Sequence, residues 1–184
     1  FAPLARGSGI PQVMAAIELA TPKNHERVDR LLNVKIIIVK IISSTVAVVG
    51  GGVVGREGPT IQIAGSVFRF INKILPSWWP KISKQNMIMT GAASGLAAAF
   101  NTPLGGIVFA VEELTRRHIS YFRTALFSAV IVAGLTSQAL LGPYLYLGYP
   151  QIGGYSFHIF FWVALVSTIV GLCASFMTKH HLKL

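Results

Sequence analysis

The chain has 184 residues, of which 53% are hydrophobic and only 12% are charged, whereas a soluble domain carries about 25% charged residues. Its formal net charge is +10, and the basic residues lie in short polar segments between apolar tracts, as in the cytoplasmic loops of membrane proteins. These features exclude an ordinary soluble domain, and the scarcity of aromatic residues among the basic ones argues against nucleic-acid binding. Residues 85–111 and 124–178 contain no Asp, Glu, Lys or Arg, and roughly 20 apolar residues cross a bilayer as a helix. We therefore predict an all-α, polytopic membrane protein.

Helix-forming segments alternate with breaks that contain glycine or proline, which predicts mostly short helices. Residues 10–19 form a predicted short helix with a proline in its first turn, where a missing N–H is tolerated, and the polar residues 21–33 form a predicted loop. In the apolar helix that follows, Lys35 and Lys40 lie near one end, where long side chains can extend to the membrane surface. The further predicted helices span residues 34–54, 57–75, 86–100, 102–115, 122–141 and 157–178, and residues 76–85, with Trp78 and Trp79, form a predicted interfacial loop.

Three breaks interrupt the apolar sequence, at residues 7–11, 55–59 and 101–103. Irregular backbone at membrane depth is tolerated only inside protein or beside a water-filled cavity, and broken helices are typical of binding sites in transporters. The small residues of "GAASGLAAAF", residues 91–100, allow neighbouring helices to approach closely. These features predict short, broken and re-entrant helices in a single transmembrane domain that covers residues 1–184.

The segment "GGGVVGREGP", residues 50–59, contains the Gly-x-Gly-x-x-Gly pattern of dinucleotide-binding turns. That interpretation requires a short strand before the glycines and an acidic residue about 20 positions later. Here a long, largely apolar run precedes Gly50, and the next acid after Glu57 is Glu112. We therefore interpret the glycines as positions of close helix packing and a sharp break. A soluble cofactor-binding enzyme remains the alternative to a membrane protein, from another functional class.

The breaks at residues 7–11 and 55–59 share features that suit an anion. A helix start presents free N–H groups and the positive end of the helix dipole, glycine allows close approach, and a serine hydroxyl adds a donor. Two such starts directed at one point bind a small anion without a bare Lys or Arg, which would release the ion too slowly for transport. The candidate anion-binding residues are Gly7, Ser8, Gly9 and Gly58.

Glu57 is a carboxylic acid at this candidate anion site. Its carboxylate competes with the anion for the same donors, whereas the protonated side chain does not, so Glu57 is a candidate gate whose position follows its protonation. The alternatives are an acid that complements the helix dipole or an ion pair with Arg56. At membrane depth an ionised carboxylate costs about 2.5–3.5 kcal/mol, which favours the functional interpretation.

The segments "GSGIP", "GREGPTIQIAG" and "GAASGLAAAFNTPLGGIVFAVEEL" together resemble the CLC family of chloride channels and proton-coupled chloride transporters. The resemblance implies an all-helical fold of two inverted halves and a homodimer in the lipid bilayer of the cell's inner or plasma membrane. It also implies that Ser8 coordinates the central chloride with backbone groups of Gly7 and Gly9 nearby. In the same way, it assigns Glu57 as the external gate and the Gly58 N–H as part of the outer anion site.

The acids Glu112 and Glu113 end the "IVFAVEEL" segment. By resemblance, Glu113 occupies the internal proton-transfer position of many CLC exchangers, so both Glu57 and Glu113 are expected to transfer protons. This favours a proton-coupled chloride antiporter, with a passive chloride channel of the voltage-gated type as the alternative. A solvated helix end, followed by Arg116 and Arg117, is the plain structural interpretation of the same pair.

The expected substrates are chloride and protons, without a cofactor, a metal or an enzymatic reaction. Gln12 departs from the family pattern, which often has an acid after this proline. By resemblance, the chain is part of the first half of the transport domain of a longer protein. The second half would add a phenylalanine and a tyrosine hydroxyl to the central chloride site.

Overall fold

The structure is a computed structural model that describes residues 2–20, 25–76, 78–80, 82–114, 123–142 and 157–181. These residues contain helices and no strand, as the sequence predicts. After a 3-10 turn at Pro3–Ala5 come α1 (Ile10–Leu19), α2 (His25–Leu31), α3 (Val34–Val49), α4 (Glu57–Ile74), α5 (Lys84–Phe100), α6 (Pro103–Phe109), α7 (Arg123–Leu141) and α8 (His158–His181). Helix α6 continues into a π-helical turn at Ala110–Leu114. The chain divides into two units, Phe1–Tyr146 and Leu147–Leu184, and the described part of the second unit is α8 with Phe157.

Three segments of the described residues are long and apolar enough to cross a membrane: Glu26–Val49, Thr124–Leu141 and His158–His180. Helix α1 is apolar but has only 10 residues, and at about 1.5 Å of rise per residue it is too short to cross a bilayer alone. Long and short apolar helices therefore coexist in one chain, in agreement with the predicted broken architecture.

Helices α4 and α5 pack against each other in antiparallel orientation at two glycines of α5. A Cβ atom at Gly95 would lie 2.6 Å from the Ala64 Cβ and 2.9 Å from the Thr60 carbonyl oxygen. A Cβ atom at Gly91 would lie 2.7 Å from the Phe68 Cβ. Glycine at both positions therefore permits the close approach that the small-residue segment predicts. Helix α4 starts beside the carboxyl end of α5.

Helix α6 runs back along α5, and α7 covers both. A Cβ atom at Gly106 of α6 would lie 2.6 Å from the Ala93 carbonyl oxygen of α5. The Ser137 hydroxyl of α7 donates a hydrogen bond of 2.9 Å to the Ala98 carbonyl oxygen. The core of the first unit is thus built around α5, whose residues are mostly buried.

The prediction of a loop over residues 21–33 is wrong, because His25–Leu31 forms α2. Val28 of α2 and Leu32, which directly follows the helix, are buried. Asp29 accepts a hydrogen bond from Arg69 Nη2 at 2.9 Å and forms an ion pair with Lys73 Nζ at 2.8 Å, both on α4. The polar composition of this segment predicted a loop, but the carboxylate of Asp29 instead attaches α2 to α4. Residues 21–24 lie outside the described residues.

The predicted helix over residues 34–54 ends five residues early, at Val49. Gly51 has a φ of 79°, a conformation that glycine adopts readily and other residues rarely. The Gly52 N–H donates to the Ala47 carbonyl oxygen at 2.8 Å, which closes the turn. The chain then continues without regular structure until α4 begins at Glu57. The glycine pattern at residues 50–55 therefore follows a 16-residue helix, not the strand that a dinucleotide-binding turn requires.

Candidate functional site

The segment before α1 and the start of α4 touch through backbone atoms. Gly9 has a φ of 104°, and a Cβ atom there would lie 2.8 Å from the Gly58 carbonyl oxygen. A Cβ atom at Gly58 would overlap the carbonyl oxygen and the hydroxyl oxygen of Ser8. Any side chain at Gly9 or Gly58 would therefore force these two helix starts apart. The two breaks that the sequence singles out lie next to each other in the fold.

The candidate anion-binding residues and the candidate gate form one cluster around this contact. Gly9 and Gly58 are buried, whereas Gly7, Ser8 and Glu57 are exposed. Glu57 is the first residue of α4 and directly precedes Gly58. The cluster thus combines buried backbone with an exposed hydroxyl and an exposed carboxyl group.

Neither of the two helix starts that meet has a side-chain cap among the described residues. The capping position of α1 is occupied by Gly9, which has no side chain. The capping position of α4 is occupied by Arg56, whose side chain accepts no hydrogen bond from the first turn. By contrast, Asn33 caps α3 by accepting from the Ile36 N–H at 2.8 Å, and Ser83 caps α5. The first N–H groups of a helix have no partner within the helix, so the starts of α1 and α4 can offer theirs to an anion.

The prediction that Lys40 extends toward the membrane surface is wrong. Its side chain is buried, with only 3% of the residue exposed. The ammonium group donates hydrogen bonds to the Gly7 carbonyl oxygen at 2.6 Å and to the Ala5 carbonyl oxygen at 3.0 Å. A buried charge is strongly destabilising unless it is hydrogen-bonded, and these carbonyls provide the partners. Lys35, on the same helix, is exposed.

Two glutamines also bind the segment before α1, and sequence reasoning gave neither this role. The Gln62 side chain of α4 is fully buried and donates from Nε2 to the Leu4 carbonyl oxygen at 3.2 Å. Gln12 of α1 donates from Nε2 to the Arg6 carbonyl oxygen at 2.8 Å. Together with Lys40, they supply a side-chain donor to each of four consecutive carbonyl groups. These carbonyl groups belong to Leu4, Ala5, Arg6 and Gly7.

Two cavities lie beside the cluster, between α3 and the start of α4. One has a volume of about 510 Å³, and its lining includes Gly7, Lys40 and Pro59. The other has a volume of about 550 Å³, and its lining includes Arg56 and Pro59. Irregular backbone is expected beside such space at membrane depth. The cavities therefore give small solutes room next to the two helix starts.

Glu113 lies away from this cluster, on the exposed side of the turn Ala110–Leu114, whose end residues are buried. Helix α6 begins near the carboxyl end of α5, where α4 also begins, and then runs back along α5. About ten residues of α6 and its π-helical turn, roughly 15 Å of rise, carry the chain from that end to Glu113. Glu57 and Glu113 therefore lie toward opposite ends of α5. Arg116 and Arg117 lie outside the described residues.

Comparison with known proteins places the sequence in a family. A family model described as voltage gated chloride channel matches residues 1–184. The chain belongs to the CLC family. Three segments of its described residues are long and apolar enough to cross a membrane, so it belongs to an integral membrane protein, and the CLC resemblance of the sequence motifs is confirmed.

Several bacterial CLC proteins are similar to the chain, and each carries the name H(+)/Cl(-) exchange transporter ClcA. The protein of Vibrio vulnificus strain YJ016 is 38% identical over 154 residues, which cover 82% of this chain and 31% of the relative. The protein of Klebsiella pneumoniae strain 342 is 37% identical over 77% of this chain and 29% of the relative. The protein of Yersinia pestis bv. Antiqua strain Angola is 41% identical over 74% of this chain and 26% of the relative. The chain thus spans less than a third of the length of these CLC relatives.

Proposed function

We propose that the chain is part of the ion pathway of a proton-coupled chloride antiporter. The observation that carries this proposal is the contact between Ser8 and Gly58, which brings two uncapped helix starts together. The similarity to proteins named H(+)/Cl(-) exchange transporter supports chloride and protons as the substrates. The proposal includes a homodimer in a lipid bilayer of the cell's inner or plasma membrane, completed by the rest of the longer protein.

In the proposed mechanism, chloride accepts hydrogen bonds from the Ser8 hydroxyl and from backbone N–H groups at residues 7–9 and at Gly58. These donors are dipoles and carry no full charge, so they stabilise the ion without holding it as a bare ammonium group would. The positive ends of α1 and α4 add to this attraction.

Glu57 is the proposed gate because it starts α4 beside the same donors. As a carboxylate it competes with chloride for them, and as a neutral acid it leaves them free. Each exchange of a proton for chloride at this position therefore links the two fluxes. Glu113 is the proposed relay that carries the proton toward the opposite side of the membrane, since it lies toward the other end of α5.

A passive chloride channel is the second candidate function. It is favoured by the description of the family model, which names a channel. A channel with the same anion site would conduct chloride down its gradient without moving protons. The two candidates therefore differ in a single measurable quantity, the movement of protons against their own gradient.

The experiment uses the full-length protein in sealed lipid vesicles with an imposed chloride gradient. We expect chloride flux to drive protons uphill, followed as a pH change inside the vesicles, and a protonophore to abolish that pH change. Chloride flux without any proton movement would support the channel. Absence of chloride flux from vesicles that contain folded protein would contradict both candidates.

A further inference from the structure

Lys40 is buried, carries a charge and belongs to none of the roles proposed so far. Its ammonium group lies 2.6 Å from the Gly7 carbonyl oxygen and 3.0 Å from the Ala5 carbonyl oxygen. An ammonium group has three N–H donors, so two of them are used by the segment before α1. An ionisable residue inside a membrane-crossing segment is rare and costly, and it usually serves a function.

The direction of the carbonyl groups matters at an anion site. A carbonyl oxygen carries partial negative charge and repels chloride, whereas an N–H group attracts it. The peptide unit is planar and trans, and the described residues contain no cis peptide bond. The carbonyl of one residue therefore points opposite to the N–H of the next. When the Gly7 carbonyl turns toward Lys40, the Ser8 N–H turns away from Lys40.

A second peptide unit of the segment before α1, between Ala5 and Arg6, shows the same opposite directions of carbonyl and N–H. The Ala5 carbonyl points to Lys40, and the Arg6 N–H is free to donate elsewhere, to the Pro3 carbonyl oxygen at 3.2 Å. The conformation at Gly7, with a φ of 76°, lets the chain reverse direction between these two units, as glycine does readily. One side chain from α3 thus sets the orientation of two peptide units that lead into Ser8.

We propose that Lys40 is a positioning residue that turns the Ala5 and Gly7 carbonyls away from the anion and so directs the Ser8 N–H toward it. This inference rests on the proposed function, because it deepens the same anion site. Lys40 acts through the backbone and does not itself bind the ion. Gln62 and Gln12 hold the neighbouring Leu4 and Arg6 carbonyls in the same way.

The test measures chloride binding to the full-length protein by titration calorimetry, with a large organic anion as the background salt. We expect K40M to raise the Kd for chloride at least about tenfold, because hydrogen bonds to a charged group are lost. K40R keeps the charge and the donors but places them differently, and we expect about a threefold rise in Kd, as a partial rescue. The matched control K35M removes an exposed lysine from the same helix and should bind chloride like the parent protein.

A folded K40M protein that binds chloride as tightly as the parent would overturn the inference, since a purely structural lysine leaves the affinity of a folded protein unchanged. If K40M does not fold, K40R decides, and a Kd equal to that of the parent contradicts the role. If the parent and K35M both fail to bind chloride, the proposed function fails instead. Amide hydrogen exchange over residues 4–9 without chloride then tests the remaining part of the inference, that Lys40 orients the peptide units before Ser8. Compared with the parent protein, exchange should be faster in K40R and unchanged in K35M. Equal exchange in the parent, K40R and K35M would contradict a positioning role for Lys40.

Discussion

Four helix starts in the described part of this protein, those of α1, α3, α4 and α5, fall into two kinds, and the difference between them bears on the proposed anion site. The start of α6 also lacks a side-chain cap, so it is the meeting of α1 and α4, and not the missing cap alone, that sets these two apart. Helices α3 and α5 are preceded by Asn33 and Ser83, whose side chains accept a hydrogen bond from the first turn of the helix that follows. Helices α1 and α4 begin without such a side-chain cap, and glycine allows them to meet backbone to backbone. A capped start has an internal partner for its N–H groups, whereas an uncapped start at a cavity needs an external one.

The largest expected effect concerns the acid at the uncapped start of α4. Glu57→Gln mimics the protonated side chain, because an amide has no charge with which to compete against chloride. We expect chloride flux to persist and proton coupling to disappear completely, as measured by chloride and pH electrodes on vesicles. Proton coupling equal to that of the parent protein would rule out a gate at Glu57.

A substitution at Glu113 tests whether the coupling of proton flux to chloride flux depends only on residues at the start of α4. We expect Glu113→Gln to abolish proton flux while chloride still moves, because the relay toward the other end of α5 is lost. Glu112→Gln is the matched control on the same turn and should retain coupling. If the parent protein, Glu113→Gln and Glu112→Gln all showed equal proton flux, neither acid would belong to the proton pathway.

The contact between the two uncapped starts is tested by adding a single methyl group. Gly58→Ala places a Cβ on the Ser8 oxygens, and we expect chloride affinity to fall about tenfold or more as the starts separate. In Gly55→Ala the new Cβ meets no atom within 4 Å, so binding should match the parent protein. If Gly58→Ala binds chloride normally, the meeting point is not the anion site.

The smallest effect is expected at a capped start. Asn33→Ala removes the cap of α3, which should lower the free energy of unfolding by about 1 kcal/mol. Chloride affinity should stay unchanged, because the two hydrogen bonds that are lost, from the Ile36 N–H and to the Asp29 carbonyl oxygen, involve none of the candidate anion-binding residues. Ser8→Ala should show the reverse pattern, with weaker chloride binding and little change in thermal stability. If both variants changed the same quantity, the distinction between the two kinds of helix start would be wrong.

Features with a local cause could be predicted from the sequence. The proline of α1 and the apolar, small-residue stretch of α5 predicted those helices within two residues of their observed bounds. The glycines at positions 9 and 58 pointed to the meeting of the two starts, since close approach needs residues without side chains. The early end of α3 was missed because apolar valines continue beyond the glycine turn at Gly51.

Features whose partners lie far away in the sequence could not be predicted. Helix α2 was missed because Asp29 pairs with Arg69, 40 residues later. Lys40 was placed at the surface because its acceptors are backbone carbonyls 33 and 35 residues earlier. Every residue has a backbone carbonyl, so the sequence does not show which ones will accept from a lysine. A lysine two turns inside an apolar helix was the available signal, since a buried charge requires buried partners.

The packing of α4 on α5 constrains how an ion can be released. Gly91 and Gly95 hold α5 against Ala64 and Phe68 so closely that even one methyl group has no space. Interfaces packed to this density resist gradual deformation, so sliding of α4 along α5 would require these contacts to break. In the proposed mechanism, we therefore expect opening to be a small event at the Glu57 side chain and the first turn of α4, while α4 and α5 keep their packing.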